Sequence, residues 1–430
     1  MIEYLAISLQ LVIFVFLSFF PINNFTASYL SKSLQKLNLI NYFVINNLFL
    51  MTVLLIVSFT KLKIEYVFYI IILTYFILLL ICLKDFSKYF VLVNLPIVGI
   101  FLIINFALFV DIARDLHLAW DSLTLWKIKA NSFYLGGNYF GSVTDLHPQY
   151  PHLGSYIWAF FWKNSFLEFE YLGRLFSSYL HVLSLFAISS CFVNKNYLIN
   201  FLIVTLLIIF TYDPTLRGYQ DIYIFSLIAF FGFFIYQKIK SDTEINDFII
   251  LILIILPWIK NEGVFYSIFL TIIYFIFQKQ LIKRCLFPLI VFLGILFQFY
   301  LNLFYFDLNG LFQFEISPSN ILNDQSFFTL FSKIWNILFY TMHAFFKNPI
   351  LIIDLLIIVA CIYFTKLHKD NLPFLTFLVL NILFIVGIYV LTPYDLKWHL
   401  QSSVDRLLLQ TSGMYIYLLA LLKDKNFFDI

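Results

Sequence analysis

Long apolar runs separated by short polar breaks make up most of this chain. Many of the runs approach the roughly 20 residues that a helix needs to cross a bilayer's hydrocarbon core. They predict helical spans over 4–22, 42–60, 65–83, 89–110, 171–193, 197–212, 222–237, 248–259, 262–278, 286–305, 349–365, 372–391 and 406–423. The stretch 248–278 would be about 46 Å long as one helix, too long for one ordinary span. Pro257 and the polar KNEG at 260–263 interrupt it, which predicts a helical hairpin with a tight tip. Two further aromatic segments, 152–163 and 331–346, carry Trp and Tyr and are expected to lie at the membrane interface or re-enter it. The predicted fold is an all-α polytopic transmembrane bundle of about 13 spans with interfacial helices in the outer loops.

Composition sharpens this picture. The chain is 62% hydrophobic, 21% aromatic and only 12% charged, with a mean hydropathy of +0.92. A soluble protein of this length would expose far more charge. The formal net charge of +3 argues against a nucleic-acid partner. Cys82, Cys191, Cys285 and Cys361 lie in or at the ends of apolar runs without CxxC spacing, so neither disulfides nor thiolate metal sites are expected. The N-terminal run has no basic segment before it and no clear cleavage site, and reads as a retained span.

Basic residues set the orientation. Lys32, Lys36, Lys84, Lys88, Lys195, Lys238, Lys240, Lys279, Lys283, Arg284, Lys366, Lys369, Lys423 and Lys425 share one side, taken as cytoplasmic. The N-terminus is then outside and the C-terminus inside. The polar segments 111–152, 213–221, 260–263, 306–330 and 392–406 all reach the outer face. No stretch outside the membrane is long enough to fold alone. The organisation expected is 1–88 as N-terminal helices, 89–423 as the main transmembrane module with outer loop 111–170, and 424–430 as a cytoplasmic tail.

The segment DIARDLHLAWDSLTLWKIKANSFYLGGNYFGSVTDLHPQYPH at 111–152 concentrates the groups able to do chemistry. Asp121 stands at the start of a helix whose Trp120, Leu125 and Trp126 would seat it at the lipid surface; its carboxylate could take a proton from a hydroxyl or simply cap the helix. Lys129 follows on the same helix. His147 and His152 flank a double-proline turn into an aromatic segment, as surface residues or as ligands awaiting a carboxylate. Asp221 closes RGYQD at 217–221, as a cap or a functional acid. Lys260 and Glu262 are ionisable groups within an apolar stretch, which marks either an ion pair or a polar cavity. His399 and Arg406 belong to YDLKWHLQSSVDRLLLQ at 394–410, with Arg406 opening the last span. A guanidinium there is an anchor or a bidentate phosphate grip. Carboxylates, cations and an aromatic belt at one face suit a lipid-linked phosphate substrate.

On these motifs the chain resembles the GT-C superfamily of polytopic membrane glycosyltransferases, in particular bacterial enzymes related to the protein O-mannosyltransferase and aminoarabinose transferase families. The likeness covers the order of elements over residues 89–410. Asp121-Ser122 falls at the family's acidic pair, with Ser122 in place of the second acid. KANSFYLGG follows, and HPQYPHLGSYIW stands at the family's proline turn. Three spans precede the one leading into the loop, where the related families have one. The resemblance implies an inverting transfer at the outer face of a bacterial cytoplasmic membrane, from a polyprenyl-phosphate sugar to a hydroxyl of a glycan, lipid or protein. It makes Asp121 the general base. Lys129, His147, Asp221, Lys260, Glu262, His399 and Arg406 are the residues assigned to bind substrate. No cofactor is required, no metal-ligand set is assigned, and a divalent cation is the one addition left open. The rival readings are an O-antigen polymerase or ligase, which would want arginines in 306–330, where there are none, and a lipid-linked sugar flippase, for which Asp354 and His181 are the few polar residues inside spans.

Overall fold

A computed structural model describes residues 2–19, 39–82, 95–142, 148, 150–192, 196–212, 217–241, 247–305, 327–365, 369–392 and 395–424. Among them all regular structure is helical. In chain order the helices are α1 (Ile2–Ser18), α2 (Leu39–Ser58), α3 (Ile64–Cys82), α4 (Leu95–Arg114), α5 (Lys127–Tyr134), α6 (Tyr139–Ser142), α7 (Leu153–Lys163), α8 (Glu170–Phe192), α9 (Tyr197–Phe210), α10 (Asp221–Ser241), α11 (Ile249–Ile259), α12 (Glu262–Phe277), α13 (Leu281–Tyr300), α14 (Phe327–Phe345), α15 (Pro349–Thr365), α16 (Leu372–Val390) and α17 (Leu396–Asp424). One-turn π-helices occupy Ser122–Trp126 and Leu301–Tyr305.

Each apolar run predicted to span forms a helix, but fewer of them have the length of a full span. Among the described residues six helices are long and apolar enough to cross a membrane, or up to 7 if α14 and α15, bent by 108°, count as one broken span. Five more apolar helices fall between 10 and 17 residues. The chain is thus a multi-pass helical protein.

The chain divides into two compact units, Met1–Val264 and Phe265–Ile430. In the first, α8 is the axis. Every residue from Tyr171 to Ser189 is buried, and α8 packs against α1, α2, α4, α7, α9 and α10. A helix buried all round needs close approach somewhere, and Gly173 provides it. A Cβ there would lie 2.3 Å from the Trp158 carbonyl oxygen. Small residues at such crossings let helices touch where hydrocarbon solvent gives no hydrophobic drive to associate. In the second unit α17 is the axis, packed against α14, α15 and α16.

Three expectations change. The aromatic segment HLGSYIWAFF is not a surface helix: Leu153 through Phe161 are all buried, and α7 packs inside the unit against α8. Trp126 is 1% exposed and faces the protein, while Trp120 is 74% exposed. The last helix begins at Leu396 rather than near 406, because Asp395 caps it, its Oδ1 accepting from the Trp398 amide at 2.8 Å.

Candidate functional site

The motifs around Asp121, His152, Asp221 and Lys260 all lie within the first unit. Beyond α4 the chain leaves regular structure over 115–119, and the Ala119 amide donates to the Arg217 carbonyl at 3.1 Å. This ties the Trp-Asp-Ser segment to the RGYQD loop. Gly218 makes the contact tight. Its φ is +74°, a left-handed conformation that glycine adopts without strain, and a Cβ there would come within 3.0 Å of Leu118, 3.4 Å of Trp158 and 3.5 Å of Ser122. Asp121, half-exposed, makes no capping hydrogen bond through its side chain. The capping reading therefore does not describe it. Ser122 is fully buried and its hydroxyl has no hydrogen-bond partner. A longer acidic side chain at 122 would have to enter the space beside Gly218, which accounts for serine at that place. The π-turn Ser122–Trp126 follows directly, a wide turn often found at functional positions.

RGYQD then delivers two contacts. Gln220 reaches the start of α7, where a Cβ on Gly154 would sit 1.7 Å from its Oε1. Asp221 opens α10 and accepts from Lys260 Nζ at 3.1 Å. Lys260 stands in extended backbone after α11 and donates also to Glu262 Oε1 at 3.0 Å. Both carboxylates lie in the first turn of a helix, where the helix dipole favours negative charge. Asp221 is buried and the Glu262 side chain is 20% exposed. Lys260 is therefore held by two acids. The triad carries a net charge of about −1 by formal count, so the charge of Lys260 is balanced by its two carboxylate partners.

The histidine and lysine of the loop form a second layer in the same unit. His152 is not a surface residue; it is fully buried. Its Nε2 shares a 2.6 Å hydrogen bond with Ser58 Oγ. Tyr139, Phe59, Trp258 and Phe133 surround the ring at centroid distances of 4.1, 5.3, 5.6 and 6.1 Å. Burial, then the charge of Lys129, holds its pKa well below the ordinary value, so it is neutral near neutral pH. Lys129 is 3% exposed and donates to the Tyr150 carbonyl. Burial lowers its pKa to about 7. Trp258, two residues before Lys260, joins this layer to the triad.

His147 is outside the described residues. His399 and Arg406 belong to the second unit. His399 shares a 2.8 Å hydrogen bond between Nδ1 and Thr392 Oγ1 and sits over the Tyr389 ring. Arg406 lies well inside α17, not at a helix end. Among the described residues no group of three or more His, Cys, Asp or Glu side chains is placed to hold a metal. One residue of interest was passed over in the sequence. Arg217 is exposed and sits in the loop that grips the Trp-Asp-Ser segment; the orientation read from the basic residues would put it on the outer side against the positive-inside tendency, and that charge bias was the available signal. Comparisons with known family models, curated proteins and solved structures return no match.

Proposed function

We propose that this chain is a multi-pass membrane glycosyltransferase of GT-C type that works at the outer face of a cytoplasmic membrane. Asp121 accepts the proton of an acceptor hydroxyl. The acceptor oxygen bonds to the anomeric carbon, the bond from that carbon to the phosphate oxygen breaks, and polyprenyl phosphate leaves with the electron pair. Inversion at carbon follows. A phosphate leaving group needs no strong general acid. Its charge is stabilised by cations aimed where the charge develops, with Arg217 the exposed candidate in the Asp121 neighbourhood. Lys260 keeps Asp221 and Glu262 in place.

The single observation that carries this reading is the setting of Asp121. It is half-exposed, has no capping duty, and sits on a segment clamped through Ala119 and Gly218 to the loop that ends in Asp221. A half-exposed carboxylate on a segment anchored by its neighbours suits a general base. The test is Asp121→Asn in purified protein, assayed with lipid-phosphate sugars of several kinds. Transfer should fall by about 10²–10⁴-fold, the usual range for a lost general base, while the unfolding temperature stays unchanged. Full transfer by the folded variant would remove the proposed mechanism.

A further inference from the structure

The second unit contains a buried polar layer that the transfer reading does not use. Asp354 lies in α15 and is fully buried. Neither of its carboxylate oxygens has a hydrogen-bond partner among the described residues. The register of the neighbouring helix shows what faces it. Cys361 Sγ lies 4.0 Å from the Leu418 carbonyl oxygen of α17. Asp354 and Thr411 each precede that contact by seven residues, two helical turns, and the charge of Asp354 is felt at Tyr415. The two helices therefore run in the same direction, with Asp354 opposite the Thr411–Tyr415 turn. From α16, Asn381 Nδ2 donates to Thr411 Oγ1 at 3.0 Å and to Tyr415 Oη at 3.2 Å. Asn381 is 1% exposed and its Oδ1 has no donor.

Three helices thus converge on acceptor oxygens that outnumber donors. The two oxygens of Asp354 and Oδ1 of Asn381 all lack a hydrogen, in surroundings that are otherwise apolar. An isolated carboxylate in such a place is costly unless a positive charge joins it. Oxygen ligands suit hard cations, and one carboxylate balances one charge. We propose that Asp354, Asn381 and Tyr415 line a site for a single monovalent cation, with Asp354 supplying the counter-charge. A proton on the carboxyl and an alkali-metal ion among the oxygens are the two sources of that charge. Each removes the acceptor excess, the proton by turning one acceptor into a donor and the metal ion by coordination.

The test uses the purified full chain in detergent and its Asp354→Asn variant. Infrared difference spectra between the two are recorded in choline chloride, sodium chloride and potassium chloride at equal ionic strength, with thermal unfolding alongside. A carboxylic-acid carbonyl band that is absent from the variant and indifferent to sodium and potassium assigns a bound proton. A carboxylate band, with an unfolding temperature that rises saturably with sodium or potassium in the wild type only, assigns a metal ion. A carboxylate band with no cation response overturns the site. Should the variant not fold, carbodiimide modification of wild-type Asp354, mapped by mass spectrometry, decides instead. That reaction requires the acid form and is blocked by a bound metal ion. No modification in choline chloride, together with no cation-dependent unfolding, overturns the proposal. Since Asp121 transfer plays no part in these readouts, either proposal can fail without the other.

Discussion

The residues of the candidate site differ sharply in what surrounds them, and their variants should separate accordingly. Lys260 is held between Asp221 and Glu262. Lys260→Met would strip buried Asp221 of this cation, and removing one member of a buried ion pair typically costs about 3–5 kcal/mol. Adding Asp221→Asn removes the charge and should recover much of the loss, which unfolding of the single and double variants would reveal. If the double variant is no better than Lys260→Met, the pairing is not what holds this break together. Lys129 offers a different handle. Its folded pKa, about 7, lies below the ordinary 10.5. Between those values the unfolded chain binds a proton that the folded chain does not, so stability should rise with pH across the window. The penalty is fully present below about pH 7 and disappears as pH approaches 10.5. The slope is at most about 1.4 kcal/mol per pH unit for one group. His152, with its pKa lowered beneath 6.5, adds a loss of stability as pH falls through that value. Chemical unfolding across pH should show a flatter curve above neutrality in Lys129→Met.

At the scale of elements, close approach of backbone to backbone is the recurring device. Gly173 faces the Trp158 carbonyl oxygen, and Gly263 faces the Leu256 carbonyl oxygen with only 2.0 Å for a Cβ. Backbone cannot swing aside as a side chain can. Gly173→Ala should therefore destabilise the first unit by about 1–3 kcal/mol, the usual penalty for overpacking. Gly99 lies within α4, where a Cβ meets nothing within 4 Å. Gly99→Ala should instead stabilise by about 0.5–1 kcal/mol through helix propensity. Unfolding midpoints that move in the same direction for both variants would contradict the packing account of α7 and α8. The same scale explains Arg406. With Asp395 capping α17, a helix of 29 residues is about 43 Å long, more than the roughly 30 Å hydrocarbon core. Several turns, with His399 and Ser402 among them, can therefore extend beyond the apolar zone.

At the scale of the whole molecule, the assignment of sides is the expectation most exposed to test. In a background with all four cysteines replaced, single cysteines at His117 and Ser402 should react with an impermeant thiol reagent added outside. Cysteines at Lys279 and Lys369 should react only from inside. All four positions are exposed, so a failure to label reports the side of the membrane rather than burial. The reverse pattern would place the Asp121 segment on the cytoplasmic face, away from any outward-facing transfer.

Hydrophobic periodicity and run length were enough to determine that this is a helical membrane protein and roughly where each helix lies, because burial of apolar side chains and satisfaction of backbone polar groups leave helices as the available answer. The breaks were legible too: Lys260-Asn261, although Pro257 before them stays inside α11, and the polar run at 111–152. Partnership was not. That Lys260 binds both Asp221 and Glu262, that His152 is caged by Tyr139, Phe59 and Trp258, and that Trp126 turns inward while Trp120 turns out all depend on distances between residues far apart in the chain. Where helices begin depended on local caps such as Asp395, which average hydropathy does not register. The acceptor-rich layer at Asp354 shows the difference most plainly. In the sequence Asp354 is a lone acid in an apolar run; only the two-turn register between α15 and α17, and Asn381 reaching across from α16, reveal that its neighbours are oxygens too, because charge balance in an apolar interior is set by what is adjacent in space.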